Sequence, residues 1–162
     1  MIVHFIDTSV FAVLLKVPNF EESYDELIEE LRRITENKDK ESLILPFATI
    51  IETGNHIAQN GDGRQKRAAA ERFVQCIEKT IDGQAPWTYY GEQMTASELR
   101  IMCKDFAEFA QRGEGFGDLS IIRAYERYKE MTPAISRIRI WSQDHHLMGY
   151  DEKLPLGHRR NR

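Results

Sequence analysis

Four carboxylates lie far apart in the chain at positions where chemistry can be built. Asp7 directly follows the apolar run Ile2-Val3-His4-Phe5-Ile6, and Glu52 follows Ile50 and Ile51. Asp118 comes just after Gly115-Phe116-Gly117, and Asp144 stands three residues beyond Trp141. Carboxylates brought together repel one another, and burial adds to the cost of keeping them ionised. Protonation relieves that cost, and so does a divalent cation. Magnesium and manganese take hard oxygen ligands, and magnesium usually keeps several of its waters. Such an ion can lower the pKa of a bound water and offset charge on a phosphoryl group.

Three of these acids also have a simpler use. Asp7, Asp118 and Asp144 stand where helix N-caps stand, and capping alone can place an Asp there. Glu52 has no such role, because it lies inside an apolar helical stretch, and a buried Glu normally needs a partner. Asn55 and His56 follow Glu52 by three and four residues, so they share its helix face. Either could touch a bound water or substrate, or only satisfy local hydrogen bonds. Thr8 and Ser9 could orient Asp7 or hold a phosphate at a helix start. Glu114, in the same glycine loop as Asp118, is a further carboxylate that could join the set. The adjacent His145 and His146 read as exposed turn residues.

Positioning these side chains requires strands that end together. The patterning predicts strands over 2–6, 43–45 and 138–141, with a short one over 87–90. Tyr24, Leu27, Ile28, Leu31 and Ile34 recur at helical spacing. Further helices are expected over 47–59, around Ala70 to Ile81, and after a capping box made by Thr95 and Glu98. Gly115-Phe116-Gly117 reads as a loop, with Asp118 opening the next helix. Arg137 and Arg139 alternate with Ile138 and Ile140, which gives the last strand one partly polar face. No apolar fifth strand is evident after Asp144. Alternating strands and helices imply an α/β fold with a mostly parallel sheet, whose ligands bind beyond the carboxyl ends of the strands.

The 162 residues fit one domain, placed at 1–150, followed by a basic C-terminal tail over 151–162. A net charge of −4 excludes a wholly basic nucleic-acid binder but not a local patch. Arg64, Lys66 and Arg67 form one candidate patch, and the tail forms another. Cys76 and Cys103 sit among helical apolar positions and read as two reduced core thiols of a cytoplasmic protein. No membrane span or leader is expected. The glycine fingerprints of dinucleotide and P-loop sites do not occur. Asp7-Thr8-Ser9 lacks the second Asp of a DxD phosphatase, and no lysine follows a late strand as a phospho-acceptor receiver requires.

Phe5-Ile6-Asp7-Thr8-Ser9, Ile50-Ile51-Glu52, Phe116-Gly117-Asp118-Leu119-Ser120-Ile121-Ile122 and Trp141-Ser142-Gln143-Asp144-His145-His146-Leu147 together resemble PIN domains. The resemblance is strongest to single-domain VapC-type toxins and spans residues 2–147. It implies a three-layer α/β/α fold and a magnesium- or manganese-dependent endoribonuclease. Asp7, Glu52 and Asp118 would form the acidic metal-binding core, and Asp144 would match the fourth, more variable acid. It also implies an RNA substrate, a homodimer and an inhibitory antitoxin protein. The alternative is a non-catalytic PIN-like module that binds RNA or protein and uses the acids as caps.

Overall fold

The computed structural model of the chain describes residues 1–91 and 94–155. In chain order the elements are β1 (Ile2–Ile6), α1 (Thr8–Leu14), α2 (Tyr24–Glu36), β2 (Glu41–Pro46), α3 (Phe47–Gln59), α4 (Gly63–Ile81), β3 (Trp87–Tyr90), α5 (Ala96–Gln111), α6 (Phe116–Met131), β4 (Arg137–Trp141), α7 (His145–Met148) and β5 (Asp151–Lys153). The strands form one sheet in the order β3-β2-β1-β4-β5. All neighbours pair in parallel except β4 and β5.

The central strand β1 explains why both faces are covered. Its side chains alternate between two apolar clusters. Val3 and Phe5 pack with Ile121, Ile122 and Tyr125 of α6, together with Ile138 and Ile140 of β4. Ile6 packs on the opposite face with Phe11 and Val13 of α1, Leu27 and Ile34 of α2, and Leu43 and Leu45 of β2. Burial of each such aliphatic or aromatic side chain contributes about 1.5–3 kcal/mol. The result is α/β, with a mostly parallel sheet and helices against both faces, an arrangement compatible with three layers.

The strand order also locates a crevice. From β1 the chain moves outward to β2 and then β3, and it returns through α5 and α6 to β4 on the other side of β1. Connections therefore leave β1 and β4 in opposite senses. Beyond their carboxyl ends lies a topological switch point, where open α/β sheets hold ligands.

The predicted strands and most helices stand where the patterning puts them, but three expectations are corrected. The 115–117 segment is not all loop, because α6 begins at Phe116 with Gly115 as its N-cap. Two glycines conceal that helix start from a propensity reading. A fifth strand does exist, and it lies inside the segment read as a tail. Its residues Asp151, Glu152 and Lys153 are all charged, so it carries no apolar signal. Cross-strand ion pairs hold it instead: the Arg137 guanidinium meets both carboxylate oxygens of Asp151, at 2.8 and 2.6 Å. Tyr125 and Lys129 donate to Glu152. Finally, Cys103 is exposed on α5, and only Cys76 is partly buried. The basic residues over 158–162 lie outside the described residues. Among the described residues no helix is long and apolar enough to cross a membrane.

Candidate acidic site

The loops after β1 and β4 meet at the switch point and are stitched together. The Asp7 backbone N–H donates to the Trp141 carbonyl at 3.0 Å. Three donors converge on Asp7 Oδ2: the Ser9 backbone N–H at 3.2 Å, the Ser9 hydroxyl at 2.7 Å and the Ser142 hydroxyl at 2.8 Å. Ser142 Oγ in turn accepts from the Asp144 backbone N–H, and Ser9 Oγ accepts from that of Gln143. Asp7 is 3% exposed, so this web fixes a carboxylate that water barely reaches.

Helix α3 supplies the next wall. It follows β2 with no intervening loop, Pro46 serving as its N-cap. The buried Thr49 hydroxyl donates to the Ile6 carbonyl at 2.8 Å and ties the helix to the end of β1. Glu52, Asn55, His56 and Gln59 then fall at i, i+3, i+4 and i+7, and all four line one cleft. Thr8 Oγ1 donates to Glu52 Oε2 at 2.8 Å. The other oxygen, Oε1, lies against the backbone of α6, where a Cβ on Gly117 would sit 1.7 Å from it. Any side chain at Gly117 must displace the Glu52 carboxylate.

Asp118 and Asp144 complete the set. Asp118 is not the N-cap but the third residue of α6, and its Oδ2 accepts from the Gly115 backbone N–H at 2.9 Å. Asp7 and Asp144 do cap α1 and α7, as their sequence positions predict, and Asp144 Oδ1 accepts from the His146 backbone N–H. Each of the four acids thus commits one oxygen to protein donors. Among the described residues, no hydrogen-bond donor is placed on the second oxygen of any of them.

Asp7, Thr8, Ser9, Glu52, Asp118 and Asp144 line the same cleft, about 400 Å³ in volume, with Asn55, His56, Gln59 and Phe20. Among the described residues no Lys or Arg lines it. Burial pushes the Glu52 carboxyl above its usual range, and the negative charges of Asp118 and Asp7 push it further, against the Thr8 hydrogen bond. Burial also raises Asp118, and Asp7, Asp144 and Glu114 add repulsion, against the hydrogen bond from Gly115. These carboxylates are close enough to feel one another, and no Lys or Arg among the described residues lines their cleft.

Glu114 is buried nearby but is not a cleft wall. Its Oε1 accepts from Arg112 Nε at 2.8 Å, and His146 Nδ1 lies 3.7 Å from the same oxygen. Both His145 and His146 are exposed. The patch residues Arg64 and Arg67 are exposed on α4 and do not line the cleft, and Arg67 pairs with Glu71. Three contributors went unread in the sequence: Ser142, Gly117 and Gln59. The seven-residue spacing from Glu52 was a usable signal for Gln59, whereas Ser142 and Gly117 act only through tertiary contacts.

Among the described residues no three His, Cys, Asp or Glu side chains form a ready-made ion cage. The donor chemistry nonetheless fits a hard divalent cation that keeps most of its waters: carboxylate oxygens only, each acid anchored through one oxygen with no hydrogen-bond donor from the described residues on the other. Protein-family models, curated proteins and solved structures were compared with the chain, and none matched.

Proposed function

We propose that the chain is a PIN-like, three-layer α/β/α endoribonuclease that hydrolyses RNA phosphodiester bonds with Mg2+ or Mn2+ held by Asp7, Glu52, Asp118 and Asp144. One observation carries the reading: four carboxylates from four separate chain segments face one cleft at the switch point, with no Lys or Arg among the described residues lining it. When bound, the ion would supply a water of lowered pKa and charge compensation for the phosphoryl group. The chain's own residues do the positioning. Ser9 and Ser142 hold Asp7, Thr8 holds Glu52, and the Gly115 amide holds Asp118. Fixing the donors in advance avoids reorganisation at the moment of reaction. Asn55 and His56 stand on the same wall, within reach of a substrate lying in the cleft. A toxin role, an antitoxin partner, a homodimer and a cytoplasmic setting rest on the four sequence blocks that resemble VapC-type toxins.

The test is incubation of purified protein and Mn2+ with total cellular RNA, beside Asp7→Asn and Asp118→Asn. Asparagine keeps each acceptor oxygen and removes the charge. Cleavage by the wild type, lost in both folded variants, is the expected result. Equal cleavage by all three proteins rejects the assignment. A second reading is a non-catalytic PIN-like module that binds RNA or protein, favoured by the real capping roles of Asp7 and Asp144. Manganese titration separates the two. A specific site raises the melting temperature by mass action, and Asp7→Asn removes most of that rise. No rise in the wild type favours the binding module.

A further inference from the structure

A second cavity, about 390 Å³, adjoins the acidic cleft across α3, and Glu52 and Asn55 line both. Its other walls are largely apolar, among them Phe47, Ile51 and Phe116, with Ser120 adding a hydroxyl. Phe47 is 51% exposed and Phe116 38% exposed, so two aromatic rings stand open to solvent in the cavity that the half-buried Glu52 also lines. Each ring is propped edge-on by a neighbour: Phe116 by Phe106 at 5.0 Å and Phe47 by Tyr89 at 6.5 Å. Among the described residues neither cavity is lined by a Lys or Arg.

That lining bears on what the second cavity can hold. Nucleic-acid binding usually draws its affinity from cations on phosphates. Among the described residues neither cavity offers such a cation, whereas the second offers two exposed aromatic rings. Single-stranded RNA offers unstacked bases, which bind on aromatic faces with a few hydrogen-bonding groups at their edges. Asn55 and Ser120 carry both donors and acceptors suited to a base edge. The cavity volume falls within the range of small-ligand pockets, and its wall is shared with the acids.

We propose that this cavity receives the nucleobase next to the scissile phosphate of a single-stranded RNA. Phe47 and Phe116 are the stacking faces, and Asn55 and Ser120 are the edge-reading groups. The proposal rests on the ribonuclease reading and adds the substrate class: RNA with an unpaired base beside the cleaved bond.

The test measures binding apart from cleavage. A fluorescently labelled single-stranded RNA heptamer and an abasic ribose-phosphate chain of equal length are titrated with the whole protein in chelator, and anisotropy is read. The base-bearing chain is expected to bind about tenfold tighter, within the roughly fivefold to hundredfold range typical of one stacked base. Phe116→Ala and Phe47→Ala should shrink that ratio while leaving abasic binding unchanged. Both side chains are exposed, so the fold should survive, as a melting curve would verify. Equal affinity for the two chains overturns the proposal. So does a variant that weakens both equally, or one that splits a dimer into monomers without changing the ratio, which would make the face a contact between copies. Base-dependent binding without any cleavage in Mn2+ keeps the cavity and removes the ribonuclease reading. Cleavage without base-dependent binding does the reverse.

Discussion

Strand β1 and the residue that follows it carry two buried polar centres, His4 and Asp7, built on opposite plans. His4 is 2% exposed and sits between two charges. Arg139 Nε donates to its Nδ1 at 2.7 Å, which places the ring proton on Nε2, and that nitrogen donates to Glu41 Oε2 at 2.7 Å. Arg33 takes the other oxygen of Glu41, and Glu30 takes another nitrogen of Arg139. Charges alternate along the network, and each meets a partner. At Asp7 the neighbours are instead Glu52, Asp118 and Asp144, all of one sign. Acidity responds accordingly. Burial works to raise Glu41, but hydrogen bonds from His4 and Arg33 outweigh it and hold the acid below its usual range. Glu52 and Asp118 are raised. A network that balances itself supports the fold, whereas the unbalanced one at the switch point is the one that the proposed ion would neutralise.

The largest test of that contrast is catalytic. Asp7→Asn or Asp118→Asn should cut Mn2+-dependent RNA cleavage roughly 10³-fold, equivalent to about 4 kcal/mol. Arg139→Met, in the balanced network, should leave cleavage per folded molecule unchanged. It should cost on the order of 2 kcal/mol in urea unfolding, because His4 and Glu30 both lose a charged partner. Activity loss in Arg139→Met matching that of Asp7→Asn would erase the distinction.

The second test is pH. Burial, and then the Arg139 charge, lower His4 to about 4 from an ordinary 6.5, against the pull of Glu41. The folded value lies below the unfolded one, so its contribution is complete above pH 6.5 and drains away as pH falls toward 4. At most this amounts to about 3 kcal/mol. Glu52 and Asp118 act in the opposite direction: their folded values are raised, so ionising them costs stability as pH rises. Urea midpoints from pH 7 to 4 should therefore fall in the wild type and fall less steeply in Arg139→Met, where His4 keeps its burial but loses the guanidinium. An unchanged slope in that variant would mean that His4 is not held neutral by this network.

Legibility in the sequence followed the same division. Apolar periodicity marked β1, α2 and α3, because burial is written in residue type. Asp7, Asp118 and Asp144 were legible because each stands near a strand end or helix start, and Glu52 because it lies in an apolar stretch where an acid has no capping use. Contacts made only in three dimensions were not. His4 passed as one residue of an apolar strand, since its partners Glu41 and Arg139 lie 37 and 135 positions away. β5 is held by ion pairs rather than apolar burial. Gly117 looked like a loop residue because its reason for being glycine is a carboxylate from another helix. Gly117→Ala is accordingly a sharp probe. The new methyl meets the flexible end of Glu52, so the fold should stand with a melting temperature close to wild type. Manganese affinity, read by titration of that temperature, should drop about 10- to 100-fold, as for other disturbed ligand supports. Unaltered affinity would show that the Glu52 carboxylate does not need its seat on α6.

The smallest expected effect is the most diagnostic of strain. In chelator, Asp118→Asn removes one of the mutually repelling charges, while its side-chain oxygen can still accept from the Gly115 amide. If the cluster is held together against its own repulsion, the variant should be more stable than the wild type by about 1 kcal/mol, a rise of ~2–4 °C in melting temperature. Manganese should reverse the order, because only the wild type gains from the ion. The crossing of the two melting temperatures with added Mn2+ separates a carboxylate kept for a ligand from one kept for a helix start. A cap gives the same ranking in both conditions, with the wild type ahead or level. Stability sacrificed in the empty site and recovered on binding is the trade expected where function, not folding, has placed the charge.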